Sequence, residues 1–250
     1  MLMVIDAGNT RTKWAVVRPD GTLSSVQSTL NTKLLTSVLK QDLTLVDKAV
    51  VANVAGEIIA AQLKSIMPKS LEPSFMMPAS EACNVINRYE QVEKLGIDRW
   101  AAVIAAWHMN KQPSLVINAG TAITIDALGK DKTEKKGEYL GGSIMPGLQL
   151  LFDALSENTA NLNIGEAGRV DLFPKKTVNA IQTGCMNAIV GAVVLQTKQL
   201  EKHCAFLPKV VISGGDAVKI AEALSHHIKR VIVAENLVLQ GLALIGKKFV

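Results

Sequence analysis

Five residues occur twice in this chain with a single change. Val4-Ile5-Asp6-Ala7-Gly8 returns as Val116-Ile117-Asn118-Ala119-Gly120, at an offset of 112 (116 − 4). A five-residue match is thin on its own, but the elements around it also recur in order, and this makes duplication the better reading. Each copy is an apolar, β-branched run ending in a polar residue and a Gly-containing turn. The first continues through Asn9-Thr10-Arg11-Thr12-Lys13 into a second run, Trp14-Ala15-Val16-Val17, the pattern of a β-hairpin. Around each copy the periodicity predicts three strands, then alternating helix and strand. That is the order of an α/β fold, here in two similar halves. Lys111-Gln112-Pro113 is polar and contains a breaker, so the boundary is expected there, with domains over 1–112 and 113–250. Two such halves would enclose a cleft, the usual place for a small ligand.

The element-level expectations are specific. The first half is predicted to carry a third strand from Thr22 to Ser28, a helix capped by Asn31, a buried strand over Lys48–Val54 and a helix near Gly56–Met67. A short strand near Phe75 and an apolar helix through Trp100–Trp107 follow, with Asn84–Arg88 ambiguous between them. The second is predicted to carry strands at 123–128, 139–144, 209–213 and 230–233, and helices at 147–156, 178–204, 216–226 and 237–247.

Composition narrows the function classes. At 250 residues and 48% hydrophobic the chain can bury one large core or two modest ones, and with only 4% aromatics that core is aliphatic. The formal charge of +5 suits anionic ligands but is too small and dispersed to indicate a nucleic-acid partner. Cys83, Cys185 and Cys204 form no CxxC pair and leave an odd thiol, as in a reducing compartment. Asp6 comes too early for a signal peptide, and no apolar run was expected to reach the ~20 residues of a membrane span. The expectation is a soluble, cytoplasmic protein without membrane partners.

The polar tip of the first hairpin has the parts that a triphosphate requires. Asp6 can hold Mg²⁺ directly or through water, Thr10 and Thr12 can donate hydrogen bonds, Gly8 admits close backbone approach, and Lys13 adds a compact positive charge. The plain structural alternative is a hairpin turn with an acidic end, and the tip alone does not decide between them. Gly96-Ile97-Asp98-Arg99 is either a capped helix start or a general base beside a substrate-binding guanidinium. Gly120-Thr121-Ala122-Ile123-Thr124, Gly141-Gly142-Ser143-Ile144-Met145-Pro146-Gly147 and Ser213-Gly214-Gly215-Asp216 each read as a turn or as a phosphate contact. The four histidines, 108, 203, 226 and 227, lie at helix tails and read as structural.

Taken together and in order, these motifs resemble those of type III pantothenate kinase, over nearly the whole chain; Gly96-x-Asp98-Arg99 is the most specific piece. The resemblance implies a duplicated ribonuclease-H-like fold of the actin, Hsp70 and sugar-kinase superfamily. It implies ATP-dependent phosphorylation of pantothenate, the first step of coenzyme A synthesis, by a homodimer with Mg²⁺. It further implies that Asp6, Ala7, Gly8, Asn9, Thr10, Arg11, Thr12, Lys13 and Thr121 bind ATP. Asp98 would accept the proton, and Tyr89, Gly96, Ile97, Asp98, Arg99 and Thr183 would hold pantothenate. Where the family has an aspartate ligand for K⁺ or NH₄⁺, this chain has Asn118. Its amide oxygen can still coordinate but the charge is gone, which leaves the cation requirement open. Two rival readings stand beside this one: another small-molecule kinase of the superfamily, and a non-catalytic accessory-factor homologue acting in transcription.

Overall fold

Both copies of the repeat are the first strand of a hairpin in a computed structural model, which describes residues 1–157 and 168–247. In the first, β1 (Leu2–Ala7) runs antiparallel to β2 (Arg11–Val17), and β3 (Gln27–Leu30) extends the sheet beyond β2. The predicted third strand at 22–28 starts later, at Gln27, with Leu23 making only an isolated bridge to Val17. Its first residues are held as a turn, because the Asp20 carboxylate accepts both the Thr22 N–H (2.8 Å) and the Thr22 hydroxyl (2.7 Å). The expected helix from Asn31 is instead a 3₁₀ turn over Asn31–Thr36 followed by the single-turn α1 (Leu39–Asp42). Ser37, extended between the two pieces, donates its hydroxyl to the Leu34 carbonyl rather than continuing the helix.

On its other side β1 pairs in parallel with β4 (Lys48–Asn53), which follows α1. The helix α2 (Glu57–Ile66) and then β5 (Pro73–Phe75) complete the sheet in the order β3-β2-β1-β4-β5. Met3, Val4 and Ile5 are all fully buried, so both faces of β1 are covered. Trp14, Leu34, Leu39, Leu43, Val51 and Leu63 pack with Met3 and Ile5 in one aliphatic core.

The ambiguous stretch 84–88 resolves as β7 (Val85–Asn87), paired antiparallel with the two-residue β6 (Glu81–Ala82). The helix α3 (Ile97–Asn110) follows, ending on Lys111 in the left-handed conformation.

The second half begins with β8 (Ser114–Ala119), β9 (Ala122–Lys130) and β10 (Gly137–Pro146). Then come α4 (Leu148–Glu157), α5 (Thr177–Cys204), β11 (Lys209–Ser213), α6 (Ala217–Ser225), β12 (Val231–Val233) and α7 (Leu237–Gly246). In the seven-stranded sheet β6-β7-β10-β9-β8-β11-β12 the last five strands belong to this half, with β8–β9 antiparallel and β8–β11 and β11–β12 parallel. Strand for strand it is the order of the first half, so the repeated pentapeptide heads two copies of one topology.

Packing divides the chain into two units. The first holds Met1–Lys111, Asp131–Leu140 and Asn236–Val250, and the second holds Gln112–Lys130 and Gly141–Glu235. Within the first unit the start of β10 pairs in parallel with β7, and α7 lies on α3, β1 and β4. The α3–α7 approach is backbone-close: a Cβ on Gly241 would lie 1.9 Å from the Ala101 carbonyl oxygen. In the second unit, α5 is long and apolar enough to cross a bilayer by length and composition, contrary to expectation. Half of that apolar stretch is buried, and α5 packs on β8, β9, α4 and α6, as a core helix does.

Gly241→Val should lower unfolding stability by about 3 kcal/mol, since a rigid carbonyl blocks the added atoms. Gly191→Ala, on an open face of α5, should leave stability unchanged or raise it by up to about 1 kcal/mol. Urea unfolding midpoints of the two variants against the parent chain check both.

Candidate active site

In the first unit the hairpin tip is built around Asp6. Register places it beside Lys13 on β2 and Ala52 on β4, at the carboxyl-terminal end of β1. The tip is closed by the Gly8 N–H donating to the Arg11 carbonyl (3.1 Å). Asn31 then pins it from outside, its Nδ2 donating to the carbonyls of Gly8 (2.8 Å) and Asn9 (3.1 Å). Its backbone N–H donates to Thr10 and its Oδ1 accepts the Thr12 hydroxyl (2.9 Å). Sequence reasoning gave Asn31 the role of a helix cap; its side chain instead shapes the loop, which only the β2–β3 pairing makes possible. Thr12 is fully buried, with its hydroxyl on Asn31, while Asn9, Thr10 and Arg11 are exposed. Ala7 is buried in the strand.

The first turn of α3 brings Asp98 within electrostatic reach of Asp6. Gly96, not Asp98, occupies the N-cap position of this helix. Its lack of a side chain matters for space: a Cβ there would stand 2.5 Å from Asp98 Oδ1. Ile97 and Arg99 are buried, and the Arg99 guanidinium lies 6.0 Å from the centre of the Tyr139 ring. Tyr89 is half-buried, its N–H held by Asn87 Oδ1 (3.0 Å), and its ring lies 6.1 Å from that of Tyr139. No local signal marks Asn87 or Tyr139 as part of a site, because neither belongs to a motif.

Burial raises the Asp98 carboxyl above the usual range, opposed by the Arg99 N–H and guanidinium. The Asp6 carboxyl is pushed up to about 7, chiefly by burial, with the charge of Asp98 adding and Lys13 opposing. Asp6 and Asp98 bring two carboxylates together, with Lys13 and Arg99 as the opposing cations. That fits Mg²⁺, which is commonly held by one or two carboxylates together with substrate phosphates.

In the second unit three glycine motifs converge on the end of β8. The Gly147 N–H donates to the Thr121 carbonyl (2.9 Å) and the Asp216 N–H to the Ala119 carbonyl (3.2 Å). A Cβ on Gly147 would meet the Gly120 oxygen at 2.3 Å. Gly214 has φ +110°, and a Cβ there would meet the Ala119 oxygen at 2.3 Å. Thr121 is exposed at this tip. Asn118 sits opposite Thr124 on β9 and Ser213 on β11. Cross-strand partners share a sheet face, and the buried Thr124 hydroxyl has no hydrogen-bond partner, so this pair fits a small cation. Thr183, on α5, accepts the Asp171 N–H (3.1 Å) while Asn179 Nδ2 holds the Asp171 carboxylate (2.9 Å). Among the described residues no three His, Cys, Asp or Glu side chains form a metal cluster.

The raised Asp6 carboxyl has a consequence for stability. Its folded value, about 7, exceeds the unfolded value of 3.8, so its contribution is full below pH 4 and is lost as pH rises through 7. Asp6→Asn, neutral at every pH, should therefore melt above the parent chain at pH 8 in a chelator. The gap should close toward pH 4, and thermal unfolding across that range is the check.

A family model for type III pantothenate kinase matches residues 2–214. The type III pantothenate kinase of Nitrosospira multiformis is 33% identical over 249 residues, covering 99% of this chain and 92% of the relative. That of Methylobacillus flagellatus is 36% identical over 247 residues, covering 96% of each. Among solved structures, a Baf family transcriptional-activator candidate from Campylobacter jejuni aligns at TM-score 0.62 and 24% identity, over 99% of this chain and 98% of its own. A 2-dehydro-3-deoxygalactonokinase candidate from Sinorhizobium meliloti aligns at TM-score 0.62 and 13% identity, over 100% and 99%. These likenesses show the fold alone, two ribonuclease-H-like halves of one topology. With a matching model over most of its length and relatives above 30% identity across nearly all of it, the chain belongs to the type III pantothenate kinase family.

Proposed function

We propose that Asp98 is the proton acceptor in the reaction of this family, ATP-dependent phosphorylation of pantothenate in coenzyme A biosynthesis. The observation that carries the reading is the placing of the Asp98 carboxylate. It lies at the first turn of a buried helix, against a glycine that leaves it room, beside a second carboxylate at the hairpin tip. Phosphoryl transfer passes through a loose transition state, so positioning and charge neutralisation outweigh base strength. Asp98 orients the primary hydroxyl of pantothenate and takes its proton late. Burial, by raising its carboxyl, makes it a better acceptor at neutral pH than a solvated aspartate. The Arg99 guanidinium and Tyr89 hold the acceptor, with Gly96 and Ile97 lining it.

Asp6 to Lys13 hold the triphosphate, Lys13 by charge and the exposed tip by backbone N–H groups. Mg²⁺ held at Asp6 would supply neutralisation of the phosphate charge. Asn118 with the unpartnered Thr124 hydroxyl supports a monovalent-cation site of K⁺ or NH₄⁺ that lacks a carboxylate. Three cysteines outside any disulfide support a reducing cytoplasmic setting. Apolar exposure at Leu172, Phe173, Leu195 and Val218 supports a homodimer.

Release of ADP in a coupled assay should require pantothenate and fail with a panel of sugars and short acids. Turnover only with a sugar would assign another kinase activity, and none with any acceptor would favour a regulatory role. Asp98→Asn should keep ATP binding and the fold while kcat falls about 10²- to 10⁴-fold. Gly96→Ala, which re-aims the carboxylate, should lose kcat in the same direction but less. Turnover in Na⁺, K⁺ and NH₄⁺ should differ less in the parent chain than in Asn118→Asp, because only the variant adds a charged ligand.

A further inference from the structure

We infer that Tyr139 is a positioning residue for the acceptor site, its ring serving as the platform on which the Arg99 guanidinium lies. This rests on the reading that Arg99 holds the acceptor. The two stretches assigned to that site, Tyr89 and Gly96–Arg99, are far from β10 in sequence, yet one side chain of β10 meets both. Tyr139 is fully buried at the start of β10, opposite Asn87 in the β7–β10 pairing. Its carbonyl accepts the Arg88 N–H (3.0 Å), which ties its backbone to the residue before Tyr89.

Around the ring, the Arg99 Cζ lies 6.0 Å from its centre, the Tyr89 ring 6.1 Å away at a 37° tilt, and the Trp100 ring 6.3 Å away, edge-on at 79°. The quadrupole of an aromatic ring attracts a cation to its face, most strongly where water is excluded, and Arg99 is itself only 6% exposed. Trp100, the neighbour of Arg99 on α3, wedges its ring against Tyr139 from a second direction and restricts the ring's orientation. A guanidinium is a planar group on a long flexible stem, so its use as a rigid fork depends on what fixes its plane. Here the surface it faces is the Tyr139 ring, itself flanked by Tyr89 and Trp100.

The role predicts a loss confined to the acceptor, graded with the electron richness of the ring rather than its volume. Tyr139→Phe should leave KM for pantothenate within about twofold of the parent. Mono-, di- and trifluorophenylalanine at position 139 keep the ring's shape while weakening its face. They should raise KM for pantothenate stepwise, to about tenfold, with KM for ATP and the melting temperature level. A flat pantothenate KM across the fluorinated series, or equal rises in both KM values, would overturn the inference. Arg99→Ala separates it from the reading beneath it. An unchanged pantothenate KM in that variant would remove Arg99 from the acceptor site and the platform role with it. A raised KM there, with a flat fluorinated series, would sink the platform alone.

Discussion

The chemistry of the first unit depends on how closely two helices approach. Ala101 on α3 and Gly241 on α7 meet backbone to backbone, with no room for even a methyl group between them. That contact fixes α3 in a sheath of its own apolar residues, Trp100 through Trp107 all being buried. Enclosed in this way, the helix has one packed seat, and that seat places the residues of its first turn relative to the sheet. Asp98 and Arg99 are those residues, and the sheet carries Asp6. The helix α7 thus bears on where Asp98 and Arg99 stand against the strand that carries Asp6.

Electrostatics follows from that packing. A carboxylate at a solvated hairpin tip would stay near its ordinary value. Enclosure and a second carboxylate instead push Asp6 up to about 7. The second unit uses its corresponding strand end differently. Asn118 replaces the acidic residue, the glycines of two further motifs crowd the turn, and the only orphaned side chain among its described residues is the Thr124 hydroxyl. One topology used twice has therefore produced a charged tip and a neutral one.

Most of the strands and long helices were legible because their apolar periodicity is undisturbed. The stretches that were misread are those where a side chain outcompetes the backbone. Asp20 captures Thr22 and delays β3, and the Ser37 hydroxyl ends the turn after Asn31. The apolar length of α5 was missed because Asn179, Gln182, Thr183 and Thr197 interrupt it; all four are buried on its inward face.

What the sequence determined by itself was the duplicated α/β order and the identity of the motifs, since both are written in local pattern: a five-residue repeat, β-branched runs and glycine spacing. What only the tertiary structure decided was which residues stand together. Asn31 pinning the first tip, Asn87 holding Tyr89, and Tyr139 beneath Arg99 are contacts between residues distant in sequence. No local pattern encodes such contacts, because each arises only when the sheet pairs β2 with β3 or β7 with β10 and brings the partners within reach.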